Sequence, residues 1–169
     1  VRVHPTMLPL HHQLSTVNGV FNAIYVVGDA VGETMFFGEG AGSGPAASAV
    51  MGDVLEVARH IQAGIPPIVG CTCTDTLPIV PMENLKTKYY IRFAVADRSG
   101  VLAAMAGVFA DHNVSVHSVI QRGKKDANSV DLTYVTHTAR EKSVRAVLAD
   151  IASLDDVLRE EPSVIRVED

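Results

Sequence analysis

The feature that most constrains this chain is the order in which two hydrophobic rhythms succeed one another after residue 87. Tyr89, Ile91, Phe93 and Val95 recur at every second position, the period of a strand with one covered face. Asp97-Arg98-Ser99-Gly100 reads as a turn and helix start, followed by Leu102, Met105, Ala106 and Phe109 at helical spacing. Asn113 can close that helix in a left-handed conformation. Residues 114–121 predict a strand, Gly123 to Asn128 a polar hairpin loop, and Val130, Leu132 and Tyr134 a third strand. Thr138 and Glu141 have the spacing of a capping box. Val144, Val147, Leu148, Ile151 and Leu154 continue that helix, and Ser163 to Val167 forms a last strand.

Strand, helix, strand, strand, helix, strand is the ferredoxin-like α+β pattern. The residues before it have another character. Residues 1–65 hold two Lys/Arg (Arg2 and Arg59) and five Asp/Glu, against twelve and fourteen in residues 66–169. The first segment is also rich in Gly, Ala and Val. Between the two lie Pro66-Pro67-Ile68-Val69-Gly70 and Leu77-Pro78-Ile79-Val80-Pro81, and proline breaks both helix and central strand. The expected division is therefore 1–65, an extended linker over 66–86, and a second domain over 87–169.

Several function classes are excluded at this level. The net charge of −5 offers no basic face for nucleic acid. Lys124 and Lys125 follow Arg122 in the hairpin tip and read as solvated. No apolar run is long enough to span a bilayer. Val1-Arg2-Val3-His4-Pro5 shows no apolar stretch like a secretion signal, so a cytoplasmic protein is expected. Cys71 and Cys73 are separated by one residue, too close for an unstrained disulfide, and are expected to be reduced thiols. No zinc spacing connects His11, His12, His60, His112, His117 and His137.

The sharpest chemical motif is Gly38-Glu39-Gly40-Ala41-Gly42-Ser43-Gly44-Pro45. It follows two short apolar runs, 23–27 and 34–37, separated by the turn Gly28-Asp29-Ala30-Val31-Gly32. It precedes a helix whose apolar positions are Ala47, Val50, Met51, Val54, Ala58 and Ile61, with Pro45 in the first turn, Ser43 or Gly44 as cap and Gly64 as stop. Glycine backbone permits close approach of a ligand, and a helix N-terminus favours negative charge. The spacing does not match the dinucleotide fingerprint, which needs glycines at positions one, three and six. Spacing alone leaves a tight structural turn and a ligand loop equally open. Glu39, a lone loop carboxylate, reads as solvated.

Three stretches resemble the end of the homoserine dehydrogenase catalytic region. They are His4-Pro5-Thr6-Met7-Leu8-Pro9, Phe21-Asn22-Ala23-Ile24, and Gly28 through Gly42, and the likeness continues through Ala46–Val50 and Gly52-Asp53. The resemblance implies that the glycine loop meets the nicotinamide end of the cofactor, with Gly38, Gly40 and Gly42 as contacts and Gly40 foremost. It also implies that the fingerprint, the catalytic lysines and the substrate carboxylates of that family lie upstream. NAD(P) is thus expected in a full-length enzyme. This chain alone is expected to bind none and to be inactive, with no catalytic and no metal residue of its own.

Asp97-Arg98-Ser99-Gly100-Val101-Leu102 is similar to the signature that opens the first helix of ACT domains, with Ser99 where proline is usual. The fold class so implied is α+β: a βαββαβ ACT domain preceded by the last strands and helix of an α/β dehydrogenase region. The resemblance implies an amino-acid effector, L-threonine being the family's usual one, held by Asp97, Gly100, Val101, Leu102, Asn113 and Gln121. Asp97 can equally cap the helix. ACT domains commonly pair edge to edge, so a homodimer is expected. A freestanding amino-acid sensor without catalysis is the alternative.

Overall fold

The computed structural model describes residues 2–66, 76, 78–123 and 128–168. Cys71, Cys73, Lys124, Lys125 and most of the proline-rich and hairpin-tip segments lie outside the described residues. In chain order the elements are β1 (Thr6–Met7), β2 (Phe21–Gly28), β3 (Gly32–Glu39), α1 (Ser43–Ala63), β4 (Lys86–Ala96), α2 (Val101–Asp111), β5 (Val116–Gly123), β6 (Ser129–Thr136), β7 (Ala139–Arg140), α3 (Glu141–Ala152) and β8 (Ser163–Val167). Two compact units result. One gathers residues 1–8 with 79–169, and the other holds residues 9–78.

The first unit is the α+β domain that the rhythm predicts. Its sheet runs β1-β8-β4-β6-β5, with β7 paired to the start of β4. Without β1 and β7 this is the antiparallel order of a βαββαβ fold, in which the first strand lies at the centre. Tyr89, Ile91, Phe93 and Val95 of β4 are at most 1% exposed, because α2 and α3 cover that face. Val101, Met105 and Phe109 of α2 meet them, with Val130, Leu132 and Tyr134 of β6 and Val144, Val147 and Ile151 of α3. Phe93, Phe109 and Tyr134 form an aromatic group: Phe109 and Tyr134 stack at 4.7 Å, and Phe93 meets both edge-on.

The inward stripe of α2 is set one residue earlier than the periodicity suggests. Val101 is buried, whereas Leu102 is 44% exposed and Ala106 is exposed as well. Positions 101, 105 and 109 form a strict i+4 row, and 102 and 106 fall on its flank. Asn113 takes φ 55°, as its place after the helix requires. The linker expected over 66–86 ends earlier in structure. Met82–Asn84 forms a 3-10 turn, and Lys86 already pairs with Arg140 of β7.

Residues near the start of the chain enter this same sheet. Thr6 and Met7 lie parallel to Arg166 and Val167, the Glu168 amide donates to the Met7 carbonyl at 3.1 Å, and Arg2 meets Glu168 at 3.4 Å. An extended segment can satisfy a free strand edge wherever it comes from. The division expected at residue 65 treats 1–65 as one piece, whereas the hydrogen bonds tie residues 6–7 to the second domain's sheet.

Glu141 is the main departure from the local reading. The capping box does not form. Arg140 occupies the cap position without a side-chain bond, α3 starts at Glu141, and the Glu141 amide donates to the Leu85 carbonyl at 2.8 Å. The Glu141 side chain is instead 7% exposed. Its carboxylate accepts from the Tyr89 hydroxyl at 2.8 Å, from Arg145 Nε at 3.1 Å and from Arg166 Nη2 at 2.7 and 2.8 Å. Burial alone would raise the Glu141 pKa, but the hydrogen bonds from Arg166, Tyr89 and Arg145 outweigh it and hold the carboxyl below its ordinary range. The network fastens α3 to β4 and β8.

In the second unit β2 and β3 form an isolated antiparallel hairpin in full register, from Phe21 opposite Glu39 to Gly28 opposite Gly32. The helix α1 starts two residues before Pro45, with Gly42 at its cap, and ends on Gly64 at φ 64°. No residue of α1 is buried. Ile24, Val27, Phe36, Val50 and Ile61 are each more than 60% exposed.

The ion network generates a stability prediction. Glu141→Gln leaves Arg166 without its counter-charge and should cost about 2–4 kcal/mol, at or below the range for fully buried pairs because Arg166 retains some exposure. Chemical denaturation of the two forms checks this. A depressed carboxyl contributes stability above its unfolded pKa and loses it as pH falls through the folded value. The difference between wild type and variant should therefore shrink on acidification below the ordinary glutamate range.

Candidate functional site

Two regions hold the residues that the sequence singles out. The first surrounds the N-terminus of α2. Gly100 is the cap residue at φ 90°, a conformation that side chains other than glycine rarely adopt. A Cβ there would meet nothing within 4 Å, so the constraint is on the backbone alone. The first intrahelical bond runs from the Ala104 amide to the Gly100 carbonyl at 2.9 Å, which leaves the amides of Val101, Leu102 and Ala103 at the helix start for another acceptor. The cap has no side-chain hydrogen bond, so Asp97 does not serve as the cap residue. Asp97, Val101, Leu102 and Gln121 line one small cavity of about 40 Å³ together with Val95 and Leu132.

Asn113 lies elsewhere. It lines an open cleft of about 520 Å³ between α2 and β5, with Leu102, Ala106, Phe109, Val116, Val119 and Tyr134. Leu102 belongs to both cavities and is the residue that joins them. The strand register explains the grouping. Gln121 stands opposite Leu132, and Val119 opposite Tyr134, so both project to the helix-covered side of the edge strand. The cleft walls are chiefly apolar, which suits a small ligand with a hydrocarbon part and a few polar groups.

Tyr134 was not among the residues that the sequence marks, since its alternating position reads only as core. It is fully buried, yet its hydroxyl has no hydrogen-bond partner among the described residues. Burial pushes this phenol up to about 12.

The second region is the glycine loop. Gly38 pairs with Asn22, and the Gly40 amide donates to the Val20 carbonyl at 3.2 Å. Both line a shallow cleft of about 270 Å³ with Asn22, Ile24, Phe36 and Phe37. A Cβ on Gly40 would run into the Asn22 side chain, 2.6 Å from its Cγ. Asn22 is exposed and its amide can swing aside, so this close fit does not by itself require glycine at position 40. Gly38 has open space where a Cβ would sit. Gly42 does not line the cleft. It caps α1 at φ 132°, and a Cβ there would lie 3.3 Å from the Pro45 ring. The three glycines therefore divide into one open position, one packed against Asn22 and one helix cap.

Among the described residues no group of three or more His, Cys, Asp or Glu could hold a metal ion, and no helix is long and apolar enough to cross a membrane.

The βαββαβ unit carries cavities at its first helix, while the hairpin and helix of the other unit bury little of their own. Comparison with known proteins gives both parts a family. Residues 1–55 match the homoserine dehydrogenase family model, and residues 89–156 match the ACT domain model. Homoserine dehydrogenase of Synechocystis sp. is 41% identical across 99% of this chain, and that of Helicobacter pylori 38%. The chain spans 39% of the length of each. A crystal structure of a homoserine dehydrogenase from Thiobacillus denitrificans superposes with a TM-score of 0.84 at 40% identity, covering 99% of this chain and 38% of the other. The chain thus carries homoserine dehydrogenase sequence followed by an ACT domain.

Removing the unpartnered hydroxyl should help the fold. Tyr134→Phe is expected to stabilise the chain by about 1 kcal/mol, since an unsatisfied buried donor costs that much or more. Urea denaturation measures the change.

Proposed function

We propose that this chain serves homoserine dehydrogenase as the end of its catalytic region and as its regulatory domain. In the complete enzyme the reaction is the NAD(P)-dependent interconversion of L-homoserine and L-aspartate 4-semialdehyde. The observation that carries this reading is the likeness to homoserine dehydrogenases along 99% of the chain. The exposed apolar residues of β2, β3 and α1 agree with it: a two-stranded hairpin and a helix without a covered face need more protein to pack against. The hydride chemistry belongs to the nicotinamide cofactor. On this reading the loop at Gly38 and Gly40 forms one wall beside the nicotinamide, and the N-terminus of α1, whose glycine cap makes no side-chain hydrogen bond, supplies a favourable field for negative groups. Gly42 acts indirectly, through the helix start.

The effector reading rests on the helix start at Gly100. The free amides of Val101 and Leu102 suit a ligand carboxylate, Asp97 suits its ammonium group, and Gln121 lies in the same small cavity. Asn113 and Tyr134 line the larger cleft that Leu102 shares. L-threonine is the proposed ligand. Its binding would regulate by favouring one of two enzyme states, which requires unequal affinity for them. Strand β1 lies along the β8 edge, which leaves β5 as the edge for pairing two copies into a dimer. A cytoplasmic location fits the proposed biosynthetic role. The second reading, an amino-acid sensor without catalysis, draws support from the complete core of the βαββαβ unit.

Calorimetric titration of the chain with threonine should give heat of binding, and absence of heat with threonine and related amino acids would remove the effector. NADPH should bind negligibly, and micromolar affinity would contradict the division of labour. In a full-length enzyme with this sequence, Gly100→Val should blunt threonine inhibition while sparing turnover. A β-branched residue is disfavoured at φ 90°, at a cost of about 1–2 kcal/mol locally.

A further inference from the structure

His117 and His137 are far apart in sequence, yet the β5–β6 ladder brings their rings together. The ring centroids lie 5.2 Å apart with planes at 87°, and both residues are exposed. Val116 stands opposite Thr136 and Ser118 opposite Val135, so His117 is the additional residue of a β-bulge. A bulge re-aims the side chain it carries and is over-represented beside functional sites. Here the re-aimed ring comes to rest against His137, whose amide is tied to the Ser115 carbonyl at 2.9 Å. The backbone thus brings both imidazoles close enough to reach one ion.

We propose that His117 and His137 form a two-imidazole site for a divalent transition-metal ion of the zinc type, with water in the remaining positions. Imidazole suits zinc, copper and nickel, whereas magnesium and calcium require oxygen ligands that this pair does not supply. The described residues bring no third ligand of their own, so the site is open rather than closed and structural. Because the ion joins β5 to the end of β6, it stabilises the folded state through linkage. It does so next to Ser115 and Val116, which line the α2–β5 cleft.

The test is a Zn²⁺ titration of the chain carrying Cys71→Ser and Cys73→Ser, which removes competing thiolates, followed by NMR of the histidine rings. The ring signals of His117 and His137 should shift together and saturate with one ion, with no response to Mg²⁺, and the melting temperature should rise. His117→Gln should abolish that rise and weaken the response of His137 about tenfold or more, since even partners beyond the ligands cost that much. His137→Gln should do the same to His117. A response confined to His4, His11 and His12, or a His137 response unchanged by His117→Gln, would overturn the site.

Discussion

Everything in this structure depends on whether an apolar face finds cover. The face of β4 does. Four of its residues are at most 1% exposed because α2 and α3 lie across them, and burial of such side chains contributes roughly 1.5–3 kcal/mol each. The faces of the β2–β3 hairpin and of α1 do not, and α1 buries no residue. One polypeptide therefore joins a unit with its own core to a unit whose apolar residues stay largely exposed. That contrast matches a chain spanning 39% of the length of the homoserine dehydrogenases it resembles.

The self-contained unit is fastened at points that packing alone would not supply. Glu141 gathers Tyr89, Arg145 and Arg166 around one carboxylate, joining the central strand, the second helix and the last strand. Strand β1 adds a further tie, since residues 6–7 pair with β8 and also belong to the segment that matches the dehydrogenase family. The sheet of the βαββαβ unit and the start of the segment that matches the dehydrogenase family thus share a backbone hydrogen-bond ladder.

Much of this was legible in the sequence because it follows from period. The alternation at 89–95, the apolar stripe of α3, the left-handed Asn113, the stop at Gly64 and the last strand at 163–167 all depend on neighbours along the chain. What escaped depends on partners far away. Glu141 has the spacing of a capping box, and nothing local tells that Arg166 will draw its carboxylate inward. Tyr134 sits in a core alternation, and only the fold shows that its hydroxyl lacks a partner among the described residues. His117 and His137 are scattered until the bulge in β5 turns one ring onto the other. The glycine loop shows the same limit. Its motif is plain in sequence, but the different positions of Gly38, Gly40 and Gly42 require Asn22 and Pro45 in place.

Hydrogen exchange of the chain, resolved along the backbone, measures the central contrast most directly. Amides of β4 and β6 should exchange only through global unfolding of their unit, while those of β2, β3 and α1 exchange orders of magnitude faster, as expected of elements with few buried apolar contacts. Protection in α1 equal to that in β4 would contradict the account, for it would mean that the first segment already has the cover it is held here to lack.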